Sequence, residues 1–189
     1  MADDDAELTA WALAAGRGDR DAATRFVRAT QQQVRRFLTA LTSPSESEDL
    51  AQETFLRAMR SLPSFAGRSS ARTWLLTIAR RVAVDHVRAA AARPRTVPMA
   101  DGYDAPDAYR GGFDRQVVLE QLIATLPAER REAFVATQVL GMSYAEAAEV
   151  CGCPVGTIRS RVARAREDLV AATENRPGWG SRRGGDAAV

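Results

Sequence analysis

The sequence contains no lysine; all 26 of its basic side chains are arginine. Arginine suits two-pronged contacts to phosphate or guanine, but a GC-rich coding sequence gives the same bias, so this absence alone identifies nothing. Cysteine is nearly missing too. Cys151 and Cys153 are too few for a disulfide framework, and with the sole histidine, His86, remote in sequence they cannot close a tetrahedral metal site. Neither metal nor cofactor is expected, and the two thiols read as small side chains at a turn. No stretch approaches the roughly 18 apolar residues of a membrane span, and the start, Met1-Ala2-Asp3-Asp4-Asp5, is acidic where a secretory signal is basic. A cytoplasmic location is the expectation. No phosphate-cradling glycine loop and no nucleophile with a base nearby is present, so no catalysis is expected. Runs of alternating β-branched residues are also absent, which excludes a sheet and leaves an all-α fold.

The chain's 189 residues suffice for one ordinary domain or two small ones. Helical periodicity runs from about Glu7 to Leu41, broken at Gly16-Arg17-Gly18-Asp19, with Ala22, Phe26, Val27, Val34, Phe37, Leu38 and Leu41 as the inward stripe. Ser45 and Glu48 have the spacing of a capping box for a helix to about Leu62. After the loop Pro63–Ser70, a helix over about Ala71–Ala92 turns Leu75, Ile78 and Val82 inward. These elements make a first domain, 1–92. The proline- and glycine-rich stretch 93–115 reads as a flexible linker. A second helical set occupies 116–173, interrupted at Leu126-Pro127, and 174–189 has the composition of a disordered tail.

The clearest signal lies near the end of the second set. Ser143 and Glu146 form a capping box for a short helix to Val150, Cys151-Gly152-Cys153 is a turn whose glycine suits a left-handed conformation, and Pro154 fits the first turn of the next helix. This is the pattern of a helix-turn-helix. At 100° per residue, Val155, Ile158, Val162, Ala165 and Leu169 face inward. Ser160, Ala163 and Arg164 face outward, flanked by Thr157, Arg159, Arg161 and Arg166. Such a strip lets guanidiniums reach phosphates while Arg164 or Ser160 meets base edges in the major groove. A merely solvated, arginine-rich helix has similar composition, but here cap, turn, inward stripe and basic outward strip agree in register.

These residues resemble a known family. Ser143-Tyr144-Ala145-Glu146-Ala147-Ala148, followed by Cys153 to Arg161 and Arg164-Ala165-Arg166, is similar to region 4 of the extracytoplasmic-function (ECF) sigma factors, and in particular to their actinobacterial sigma-C group. Glu48-Asp49-Leu50-Ala51-Gln52-Glu53-Thr54-Phe55-Leu56-Arg57-Ala58 resembles region 2.2. Ala71-Arg72-Thr73-Trp74-Leu75, Ile78-Ala79-Arg80 and Asp85-His86-Val87-Arg88 resemble regions 2.3 and 2.4.

The resemblance implies two helical domains that bind core RNA polymerase, region 2 on the β′ clamp helices and region 4 on the β flap. Asp49, Leu50, Gln52, Glu53, Thr54 and Arg57 are then the clamp contacts. It implies that Thr157, Arg159, Ser160, Arg161, Ala163, Arg164 and Arg166 read the −35 element as duplex. Phe65, Arg68, Thr73, Thr77, Arg80, Arg81, Val84 and Arg88 would capture the opened non-template strand of the −10 element, where unstacking a base costs a few kcal/mol. The family commonly has asparagine in place of Arg81, which leaves this chain's −10 preference open. Trp74 lies near the inward face, where a core anchor and a base-stacking ring are both open. An anti-sigma factor is a further candidate partner, and the end Gly184 to Val189 is similar to tails read by ClpXP-type proteases. The alternative to a sigma factor is a repressor or activator that binds DNA through the same helix-turn-helix without polymerase.

Overall fold

The computed structural model describes residues 2–92 and 115–174; the expected linker and tail lie outside these, apart from Arg115 and Glu174. Among the described residues every regular element is helical.

Helices α1 (Ala2–Gly16) and α2 (Arg20–Leu41) form the first hairpin. Asp19 caps α2, its carboxylate accepting from the backbone N–H groups of Asp21 and Ala22 at 2.9 Å each. Gly16 ends α1 against the chain that leaves the third helix: a Cβ there would stand 2.6 Å from the Leu62 carbonyl oxygen, so only glycine allows the approach.

Helix α3 (Pro44–Ser61) starts two residues before the position that the Ser45–Glu48 spacing suggested. Pro44, whose fixed φ is already helical, takes the first position, and Ser43 precedes it with its hydroxyl donating to the Glu46 carboxylate at 2.6 Å. A short 3-10 turn (Leu62–Ser64) leads to the loop before α4 (Ala71–Ala92). Two hydroxyls satisfy the first N–H groups of α4: Ser70 accepts from Thr73 and Thr9, reaching over from α1, accepts from Ala71, both at 3.1 Å.

The C-terminal half comprises α5 (Arg115–Ala124), α6 (Ala128–Phe134) continued by a wider π turn (Val135–Val139), α7 (Tyr144–Cys151) and α8 (Val155–Glu174). The Ser143–Glu146 capping box forms with both reciprocal bonds, at 3.2 Å and 2.8 Å. Gly152 has φ 62°, the left-handed conformation that reverses the chain between α7 and α8. Ser143→Ala is expected to lower stability by about 1 kcal/mol. In a thermal melt that is a midpoint drop of roughly 2–4 °C; an unchanged midpoint would mean that the box does not hold α7.

Phe26, Val34, Phe37, Leu38, Leu75 and Leu76 are buried in the N-terminal half, and Val150, Ile158 and Val162 in the C-terminal half. They belong to one contiguous cluster. The halves join because α4 packs along α7 and α2 against α6, so the C-terminal half rests on the helix to which −10 reading was assigned.

Candidate nucleic-acid interface

The outward strip of α8 is built as its register requires. Ile158, Val162 and Ala165 are buried, and this fixes Arg159, Ser160, Ala163 and Arg164 in solvent. Val155, expected inward, is instead 36% exposed at the first position of α8. The flanking residues are less free than the pattern suggested. Arg161 pairs with Glu129 and donates to the Cys153 thiol at 3.6 Å, and Arg166 donates to the Gln138 side chain at 2.8 Å. Thr157 is half-buried and receives the Ser160 hydroxyl on its carbonyl. A groove between the start of α6 and α8 is lined by Pro127, Arg130, Thr157, Ser160, Arg161 and Arg164. Arg130 is held there by two bonds to Asp168, at 2.9 Å and 2.7 Å.

The residues expected to meet the −10 element divide into open and covered groups. Arg68, Arg81 and Arg88 are exposed, and Thr77 and Val84 half-buried. Phe65 is half-buried and packs on Trp74 with ring centroids 4.9 Å apart. Both rings are partly buried and pack against the core, so Trp74 lies beneath the loop that carries Phe65. Thr73 is only 2% exposed, with its hydroxyl bound to Ser70 at 3.0 Å. Arg80 forms an ion pair with Glu132 of α6, and its side chain retains 29% exposure against 9% for Glu132. Breaking such a pair by removing one partner is costly even though its net stabilisation is small.

Two more bonds join the halves, Arg72 to Leu140 and Arg131 to Ala40, while Arg72 also braces α4 on α2 within the N-terminal half. Arg72, 8% exposed, donates to the Leu140 carbonyl and to the Gln33 side chain, the latter at 2.8 Å. Arg131 donates to the Ala40 carbonyl at 3.3 Å. None of Arg72, Arg131, Glu132 or Gln33 emerges from sequence reasoning, because helical periodicity reports which face is inward, not which distant helix covers it. The one available signal is that Arg72 falls on the buried side of α4, where an arginine needs a partner.

On α3, Asp49 and Gln52 are exposed and Glu53 is half-buried. Leu50 and Thr54 are buried, at 8% and 0% exposure, because α3 packs against both α2 and α4 and so hides more than one stripe. As the free chain is folded, both therefore lie beneath the surface of α3 rather than on it. Arg57 is held between Glu53 (2.7 Å) and Asp85 of α4 (3.1 Å), a bridge from α3 to α4.

Residues 26–93 match the Sigma-70 region 2 family and residues 116–169 the Sigma-70, region 4 family. The chain is 51% identical over 179 residues to the ECF RNA polymerase sigma factor SigC of Mycobacterium tuberculosis, covering 92% of this chain and 95% of the relative. The chain belongs to the ECF sigma factors of the sigma-70 family. The probable RNA polymerase sigma-C factor of Mycobacterium bovis gives the same figures. Among solved structures, the Bartonella quintana sigma factor RpoE, crystallised with the anti-sigma factor NepR, is 28% identical to this sigma factor; the TM-score is 0.64, covering 80% of this chain and 96% of that one.

The two cysteines of this sigma factor flank the turn as expected, Cys151 buried and Cys153 half-buried. Burial, reinforced by the nearby Glu132 carboxylate, pushes the Cys151 thiol well above the usual range, so it stays protonated and unreactive at neutral pH. Iodoacetamide at neutral pH should therefore modify Cys153 well before Cys151, as read by mass spectrometry of timed samples. The reverse order would contradict the packing of α7. No helix of the described residues is long and apolar enough to cross a membrane.

Proposed function

We propose that the chain brings core RNA polymerase to promoters through a two-part grip. The observation that carries this reading is the α8 strip of Arg159, Ser160, Ala163 and Arg164, held outward by the buried Ile158, Val162 and Ala165 in a chain of this family. In a major groove those side chains meet base edges of the −35 element, while Thr157, Arg161 and Arg166 serve the flanking phosphates after exchanging their present partners. Phe65, Arg68, Thr73, Thr77, Arg80, Arg81, Val84 and Arg88 take the opened −10 strand. Asp49, Gln52, Glu53 and Arg57 form the edge presented to the β′ clamp helices, with Leu50 and Thr54 packed beneath, and the C-terminal half contacts the β flap.

The closed arrangement cannot do this as it stands. Elements named for positions about 25 base pairs apart lie about 85 Å apart along straight duplex at 3.4 Å per step. The 22 residues of 93–114 can reach at most about 75 Å when fully extended, which together with the width of the halves suffices for parted halves to meet both elements. In this reading the free chain keeps Arg80 on Glu132 and Arg72 on Leu140, and polymerase, by holding each half separately, supplies the free energy of opening. The Bartonella relative was crystallised with an anti-sigma factor, so a protein of that kind is a candidate partner here. The protease-signal reading of Gly184–Val189 concerns residues outside the described ones.

Run-off transcription with purified core polymerase on a library of genomic promoters tests the reading. Specific start sites that require both core and this chain are expected. Tight sequence-specific binding by the chain alone, with no initiation on any template, would favour a polymerase-independent repressor or activator instead.

A further inference from the structure

Helix α2 is the most basic helix of the described chain. It carries Arg20, Arg25, Arg28, Arg35 and Arg36 against a single acid, Asp21, whereas the four arginines of α8 are offset by Glu167, Asp168 and Glu174. Its charges are also sorted. Ala22, Phe26, Thr30, Val34, Phe37 and Leu38 are buried, and on the opposite side Arg25, Arg28, Gln32, Arg35 and Arg36 are exposed, recurring every three or four residues over about 16 Å.

These guanidiniums have little to hold. Arg28 and Arg36 make no hydrogen bond or ion pair among the described residues. Arg25 gives its Nε to the Asp21 backbone carbonyl at 3.4 Å, and Arg35 pairs with Glu48 at 3.2 Å with both side chains more than half exposed, a pair that water and salt largely cancel. Among the described residues the hydrogen bond from the C-terminal half to α2 uses the Ala40 carbonyl, and Gln33 accepts from Arg72 within the N-terminal half, so neither occupies the basic face, which is exposed even with the halves closed. No large apolar residue is exposed on α2. A protein partner would lack the apolar anchor on which such interfaces depend, whereas a phosphodiester backbone asks only for positive charge and N–H donors.

We propose that the outward face of α2 is a sequence-independent phosphate-binding surface, separate from the −35 strip and the −10 face, that holds the DNA backbone in the promoter complex. Arg25, Arg28 and Arg36 contact successive phosphates, Gln32 adds a donor between them, and Arg35 joins by leaving Glu48. The surface adds affinity and salt dependence without altering which bases are chosen.

The proposal rests on the promoter-binding reading, and the test separates the two. Polymerase carrying the wild-type chain, Arg28→Gln/Arg36→Gln, or Arg28→Lys/Arg36→Lys is titrated onto one promoter fragment between about 50 and 200 mM salt. The glutamine variant should flatten the slope of log affinity against log salt by about two, at roughly 0.9 per phosphate contact, while the lysine variant keeps the slope and both keep start site and core affinity. An unchanged slope with the melting temperature intact would overturn the proposal. So would weakened core binding at constant slope, which assigns the face to an acidic polymerase surface. If the wild-type chain initiates nowhere, the promoter reading fails first, and the same three chains, free in solution with a random-sequence duplex, still decide for or against the surface by the same slope.

Discussion

Arg164→Ala should weaken promoter binding by the polymerase-bound chain roughly 5- to 150-fold, the range of one good two-pronged base contact at about 1–3 kcal/mol. Arg164 is exposed and makes no bond to the rest of the described chain, so the same change should leave stability within about 0.5 kcal/mol. The fingerprint is that combination, together with relaxed preference at one base pair of the −35 element. Electrophoretic titration of the assembled polymerase against single-base promoter variants reads it directly. A uniform loss across all variants would instead make Arg164 a phosphate contact.

The second large effect is a gain. Glu132→Gln keeps the shape of α6 but removes the carboxylate from Arg80, which then stands half-covered without its counter-charge. A fully buried pair broken this way costs about 3–5 kcal/mol. With Arg80 29% exposed, water can answer part of that, and a discounted loss of about 1–2 kcal/mol shifts the balance toward separated halves by roughly 5- to 30-fold. The free variant should therefore bind a single-stranded −10 oligonucleotide more tightly by a comparable factor, measured by fluorescence anisotropy. An affinity equal to wild type would show that the Arg80–Glu132 pair does not guard the −10 face.

The gain and the loss fall on opposite sides of what the sequence makes legible. Periodicity located each α-helix of the described chain, though α1 begins at Ala2 rather than near Glu7 and the short Leu62–Ser64 turn fell in the expected loop; the Ser143–Glu146 box, the Gly152 turn and the inward Ile158–Val162–Ala165 stripe emerged in register because each depends on residues a few positions apart. The start of α3 was misplaced by two residues because two serine–glutamate pairs overlap there, and Pro44 decided between them. Leu50 and Thr54 were assigned to a docking face but are buried, since one helix flanked by two others hides a wider arc than a single stripe predicts. The bonds of Arg72, Arg80, Arg131 and Arg57 were beyond reach for a different reason. Their partners lie between 28 and 91 residues away, and no local pattern encodes which arginine a folded chain will turn upon itself.

A formal charge of +2 says little about where this chain's arginines act. Local distribution outweighs the sum, because screening confines each charge to about 10 Å in 0.1 M salt. On α8, Arg159 and Arg164 stand open while Arg161 and Arg166 are engaged, and Arg72, Arg80 and Arg131 are spent on bonds between the halves.

Energy transfer between a donor at Val87, exposed on α4, and an acceptor at Val170, exposed on α8, measures the separation of the halves directly as core polymerase is added. High transfer in the free chain that falls to a low value on saturation with core, at the concentrations where specific initiation begins, is the predicted result. Transfer that stays high while initiation proceeds would contradict the account.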